Sequence, residues 1–237
     1  MSYWIIIPDV HGRRFWKDAV RGHEEEKIIF LGDYVDPYGW EGITPDVALE
    51  GLKEIIAFKK AHPGNVTLLL GNHDLGYLDY GICTCRMSLR LHSEIQSVLE
   101  ENLDLFDIVY VAEESTGEVL FSHAGIGESW LRRHEDLLGA PEAFRPERLN
   151  ELLHSGERER QMLFEVLSDV SPYRGGKDPT GSPVWADLQE YLNGEKLIDG
   201  YIHTFGHTLG EGVRGVPDRG FCLDCARAFR VEVEEND

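Results

Sequence analysis

The sequence predicts an α/β fold built on a largely parallel sheet. Short apolar runs recur through the first half, stretches of helical period separate them, and Gly, Pro or Asp closes each run. Residues 4–7, 28–31 and 66–70 read as strands, and the last is apolar but for Thr67, as suits a strand buried on both faces. Between the second and third, Thr44-Pro45-Asp46 opens a helix with a capping hydroxyl, Pro at the first helical position and an early acid. Val47, Leu52, Ile55 and Ile56 continue it at helical spacing to about His62, where Pro63-Gly64 stops it. Residues 89–103 form the next helix and 119–121 the next strand. From 128 to 170 the pattern is charged and helical, punctuated by Pro141 and Pro146. Residues 171–183 are rich in Gly, Pro and Ser and read as a long loop of the kind that carries function. Residues 201–205, 221–223 and 229–233 close the chain as short strands, and the acidic end from Glu232 reads as a solvated tail. With 237 residues, 42% of them apolar, the chain is expected to form a single domain over 1–237 with a helical and loop insertion at about 128–183.

Composition narrows the chemistry. The formal net charge is −20, which disfavours a long nucleic acid laid across the surface, because Lys and Arg supply that affinity. A small phosphate-bearing substrate stays open, since bound divalent cations reverse the local potential. No basic segment with a long apolar core opens the chain, and no run approaches the 20 or so apolar residues of a membrane span, so a cytoplasmic protein is expected. Cys83-x-Cys85 and Cys222-x-x-Cys225 lack the doubled spacing of a zinc ribbon and read as reduced thiols.

Three motifs stand where strands stop: Asp9-Val10-His11-Gly12, Gly32-Asp33-Tyr34-Val35-Asp36 and Gly71-Asn72-His73-Asp74. In extended chain, residues i and i+2 share a face, so Asp9 and His11 can reach one ion together. Asp33, directly after a strand and a glycine, can place one oxygen on each of two metals. Asn72 offers a neutral amide oxygen. His73, one residue on, points elsewhere and suits a proton donor. Two later histidines repeat the pattern of strand, histidine, small residue: His123 before Ala124-Gly125, and His207 between Gly206 and Thr208. His203 lies inside its strand and reads as a core residue. Carboxylate, imidazole and amide groups at the ends of neighbouring strands make a two-metal site, which suits hydrolysis of a phosphate ester.

Taken in series, these motifs resemble the calcineurin-like metallophosphoesterase superfamily, and look most like its phosphoprotein phosphatase branch and the bacterial diadenosine-tetraphosphatase relatives. The resemblance implies a four-layer α/β/β/α sandwich with a dinuclear site at the strand ends. By motif position it implies that Asp9 and His11 hold one metal, Asp33 bridges, and Asn72, His123 and His207 hold the second. Two divalent ions would activate a water for attack on phosphorus, with manganese the first expectation and iron, zinc or cobalt the others. His73 would protonate the leaving oxygen, oriented by Asp36.

The chain departs from that branch in one informative place. An arginine that grips the phosphate normally follows the second Asp of the Gly-Asp-x-Val-Asp motif, and here Pro37-Tyr38-Gly39 stands instead. Asp74 also replaces the usual Glu. Arg174, in the Gly/Pro-rich loop, is the first candidate to stand in for the arginine, followed by Arg13 and Arg14. The expected activity is a phosphomonoesterase, serine/threonine phosphatase-like, or a nucleotide pyrophosphohydrolase. Its partners would be a phosphorylated small molecule, a nucleotide or a phosphoprotein. Two alternatives remain: a phosphodiesterase or nuclease acting on small nucleotides, and a non-catalytic binding module that keeps the fold without the chemistry.

Overall fold

The computed structural model describes residues 2–79, 84–114 and 117–233. Two compact units emerge, one from residues up to Phe106 together with the chain from Ala226 on, the other from Asp107–Cys225. Cys83 and the last four residues of the acidic tail lie outside the described residues.

The first unit is built on β1 (Ser2–Ile7), β2 (Lys27–Phe30), β3 (Val66–Leu69), β4 (Phe106–Asp107) and the late strand Phe229–Val233. The late strand flanks β1 antiparallel, and β1, β2 and β3 run parallel in that order, with Ile6 opposite Ile29 and Phe30 opposite Leu68. Ile5, Ile7, Ile28, Ile29, Leu68 and Leu69 are all buried, which is why these runs lack the polar alternation of a half-exposed sheet. Parallel neighbours need crossovers. Helix α1 (Phe15–Val20) joins β1 to β2, and α2 (Pro45–Ala61) joins β2 to β3. The expected cap of α2 is present: Val47 N–H donates to Thr44 Oγ1 at 3.4 Å. After β3 the chain enters α3 (Asn72–Leu78), and α4 (His92–Glu100) falls within the helix expected over 89–103, beginning three residues later after a turn.

The second unit carries a five-stranded sheet of β5 (Val109–Glu114), β6 (Gly117–Ser122), β7 (Tyr201–Phe205), β8 (Arg214–Val216) and β9 (Gly220–Cys222). Its order is β5-β6-β7-β9-β8; β6, β7 and β9 are parallel and the outer pairings antiparallel. The late strand of the first unit is β10. The parallel step from β6 to β7 is spanned by the helical stretch that the two prolines punctuate: α5 (Glu128–Arg133), α6 (Glu135–Leu138), α7 (Arg148–Leu153) and α8 (Glu157–Leu167), then α9 (Leu188–Leu192). Leu131, Leu149, Leu153, Leu163 and Leu167 form its buried face.

The loop at 171–183 is less of a surface feature than its composition predicts. Glu190 is buried and accepts from Ser171 Oγ (2.6 Å), Gly181 N–H (2.8 Å) and Asp187 N–H (2.8 Å). One carboxylate thus holds both ends of the segment, and Ser171 and Ser182 are fully buried.

Candidate metal and phosphate site

The three early motifs sit on three loops that are hydrogen-bonded to one another. Val10 and His11 N–H both donate to Asp33 O (3.1 and 2.7 Å), and Gly12 N–H donates to Tyr34 O (3.0 Å). Asp74 closes the set: its carboxylate accepts from Asp33 N–H (2.8 Å), Tyr34 N–H (3.0 Å) and Gly71 N–H (2.9 Å). The approach is close enough that a Cβ on Gly32, where φ is +107°, would lie 2.5 Å from Gly71 N. Glycine is required there by both space and conformation.

Asp9 and His11 meet for a different reason from the one the sequence suggests. β1 ends at Ile7, and His11 lies in a turn with φ 45°, so a left-handed turn and not strand alternation brings the pair together. Asp33 (φ 55°), Asp36 (φ 57°), Arg86 (φ 67°) and His207 (φ 67°) share that conformation. It is uncommon outside glycine and gathers at sites where the fold fixes a side chain for use.

All the early candidates are buried: Asp9, His11, Asp33, Asp36, Asn72 and His73. His11 Nδ1 donates to Val35 O at 2.8 Å, which leaves the Nε2 lone pair facing Asp33 Oδ2 at 3.5 Å and Asp9 Oδ2 at 3.9 Å. Burial pushes the His11 pKa down to about 3 against the pull of Asp33, so the ring is neutral. A neutral lone pair and two carboxylates, spaced beyond hydrogen-bond range, form a donor set that fits a divalent cation and little else. Ligand atoms of His11, Asp33 and His73 lie within 4.8 Å of one another.

His73 opens α3. Its backbone N–H donates to Asp33 Oδ1 (3.0 Å) and its Nδ1 to Asp36 Oδ2 (2.7 Å). Asp36 is held in turn by Tyr77 O–H on Oδ1 (2.5 Å) and Thr84 O–H on Oδ2 (3.3 Å). Burial works against the charged His73 ring, but Asp33, the bond to Asp36 and one with Cys85 outweigh it and lift its pKa to about 10.

The arginines fall out differently from the expected order. Arg13 makes a forked pair with Glu41 (Nη2–Oε1 2.9 Å) and donates to Asp9 O (3.2 Å). Arg174 Nε pairs with Asp187 Oδ2 at 2.6 Å, and its Nη2 donates to Thr208 Oγ1 (2.7 Å) and His207 O (3.3 Å). Arg14 is exposed. The arginine beside His73 is one the sequence reading missed, Arg86. It lies over the Tyr38 ring at 3.9 Å, donates from Nε to Asp36 O (3.1 Å), and holds Nη2 3.2 Å from His73 Nε2. Nη2 donates to Nε2 when that nitrogen is unprotonated; with Nε2 protonated both atoms are donors, and an oxygen in contact with both would satisfy them. Nothing in the sequence marks Arg86. Tyr77 could have been found, since it lies one helical turn from His73 and so on the same face.

In the second unit, His123 follows β6 and His207 follows β7, and Gly206 N–H donates to His123 O at 2.8 Å. Both histidines are buried, and His123 Nε2 lies 3.1 Å from His207 Nδ1. His203 is the core residue expected: its Nε2 donates to Ile198 O (2.8 Å), and burial lowers its pKa to about 4. Cys85, Cys222 and Cys225 are not in disulfides, and none joins a group able to hold a metal among the described residues.

Residues 5–211 match the family model described as calcineurin-like phosphoesterase. The chain belongs to that family. It is 24% identical over 214 residues to a serine/threonine-protein phosphatase of Caenorhabditis elegans; the match takes in 86% of this chain and 42% of that relative's length. Among solved structures it is similar to a cold-active protein-tyrosine phosphatase of a psychrophilic Shewanella species, with TM-score 0.51 and 17% identity over 94% of this chain and 71% of that one. A further structure of a cold-active protein tyrosine phosphatase gives TM-score 0.51 and 18% identity, covering 94% and 70%. At such identity the two structures speak for the fold alone. No helix among the described residues is long and apolar enough to cross a membrane.

Proposed function

We propose that the chain hydrolyses phosphate monoesters with two divalent cations. Asp9, His11, Asp33 and Asn72 are the proposed ligands in the first unit, and His123 and His207 those in the second. The observation that carries the reading is the buried His11 Nε2 facing Asp33 Oδ2 at 3.5 Å and Asp9 Oδ2 at 3.9 Å, at the ends of adjacent parallel strands. Family membership and the serine/threonine phosphatase relative support it. Bound cations of this kind supply an activated water and take up charge on the phosphoryl oxygens.

The chain's own groups do the rest. Asp36 orients the His73 ring through Nδ1 and, with Asp33, favours its charged form, so Nε2 presents a proton to the leaving oxygen. Arg86 holds Nη2 3.2 Å from Nε2 and serves as the phosphate-binding cation, while its Nε and Nη1 donate to Asp36 O and Cys85 Sγ. Arg13 and Arg174, spent on Glu41 and Asp187, position loops instead. A cytoplasmic setting accompanies the reading and suits the reduced thiols.

The test is a metal-dependent assay on the His73→Asn variant. With a poor leaving group such as glycerol phosphate, kcat should fall by about 10²–10⁴ with KM little changed. With p-nitrophenyl phosphate, whose leaving group needs no proton, the loss should be far smaller. Equal losses on the two esters would remove His73 as the acid, and no hydrolysis by the wild-type protein with manganese would remove the activity itself.

A further inference from the structure

Trp40 is 76% exposed, an unusual position for the largest apolar side chain, and it is not isolated. It packs on Tyr38 with ring centroids 4.5 Å apart and planes at 37°. Tyr38 meets His11 edge-on at 5.0 Å and lies beneath Arg86 at 3.9 Å. The turn Gly39–Glu41 that carries Trp40 is anchored from both sides of its sequence. Glu41 takes the forked pair from Arg13, whose Nη1 reaches back to Asp9 O at 3.2 Å. An exposed indole is thus tied by ring contacts to His11 and by an ion pair to the first motif loop.

We propose that Tyr38 and Trp40 form an aromatic shelf that stacks the base of a nucleotide whose phosphate sits at Arg86 and His73. This rests on the phosphoesterase reading above and adds the substrate class. The chemistry selects a base on a spacer. Tyr38 is already engaged by Arg86, His11 and Trp40, so the ring open to a ligand is Trp40, at the far end of the shelf. An aryl group bonded directly to the phosphoryl oxygen keeps its ring next to the phosphate. A nucleobase, held away from its phosphate by ribose, reaches further. Planar bases stack on indole whatever their hydrogen-bonding pattern, and with a formal net charge of −20 the chain suits a mononucleotide better than a polymer.

The measurement compares Trp40→Ala and Trp40→Phe with the wild-type protein on adenosine 5′-monophosphate, O-phosphotyrosine and glycerol phosphate, all with manganese. Trp40→Ala should lower kcat/KM for the nucleotide, relative to glycerol phosphate, by about tenfold through KM, and Trp40→Phe should restore most of it. Equilibrium dialysis of adenosine 5′-monophosphate in chelator, where it is not turned over, should show the same loss of affinity. The exposure of Trp40 keeps folding out of the comparison. Equal effects on nucleotide and glycerol phosphate, or a loss confined to phosphotyrosine, overturns the shelf. If the wild-type protein turns over none of the three, the phosphoesterase reading falls and the dialysis alone decides whether the base binds.

Discussion

His11 and His73 lie with ring centroids 5.1 Å apart, yet their protonation is driven in opposite directions. Asp33 favours the charged form of both, but His11 has only a backbone carbonyl on Nδ1 and is left neutral by burial, whereas His73 has the Asp36 carboxylate on Nδ1. The linkage signs follow for the metal-free protein. His73 keeps its proton up to about pH 10 when folded but loses it near its ordinary value of 6.5 when unfolded. Its contribution is therefore complete below 6.5 and is lost as pH rises through 10. His11 stays neutral down to about 3 when folded, while the unfolded chain protonates it below 6.5. Its contribution is complete above 6.5 and is lost as pH falls through 3. In chelator, the difference in Tm between wild type and His73→Asn should shrink as pH rises above 6.5, and that between wild type and His11→Asn should shrink as pH falls below it. Parallel Tm–pH curves would show that the fold shifts the protonation of neither ring.

At the scale of elements, the site is a set of loops held together by N–H groups, and Asp74 is the acceptor for three of them. Asp74→Ala would leave those donors buried without a carboxylate, at a cost of roughly 3 kcal/mol or more. For a chain of this size that lowers Tm by about 10 °C, which calorimetry on the metal-free variant would read. A change under a degree or two would mean water replaces the carboxylate. Much of this architecture is legible in the sequence, because apolar runs and turn residues act locally: β7 (Tyr201–Phe205), β10 (Phe229–Val233) and the cap of α2 stand where expected. What escapes is what depends on partners remote in sequence. Arg13 and Arg174 look available until Glu41 and Asp187 are placed against them, and Arg86 looks ordinary until Tyr38 and His73 are. The left-handed backbone at His11, Asp33, Asp36 and His207 is equally silent, since no glycine marks those positions.

For the molecule as a whole, the formal charge of −20 creates a test that must separate two effects. Any cation will stabilise so acidic a fold by screening its self-repulsion. A cation bound by Asp9, His11 and Asp33 adds a term that grows as RT ln(1 + [L]/Kd), about 2.7 kcal/mol at a hundredfold excess over Kd. Manganese should therefore raise Tm by about 5–10 °C more than hexaamminecobalt(III), which screens at least as strongly but has no open coordination position. The excess should vanish in Asp33→Asn, whose amide keeps the volume and removes the charge, while the screening rise remains. Equal shifts with the two cations in the wild-type protein would mean that the buried carboxylates feel only the general field and hold no ion of their own.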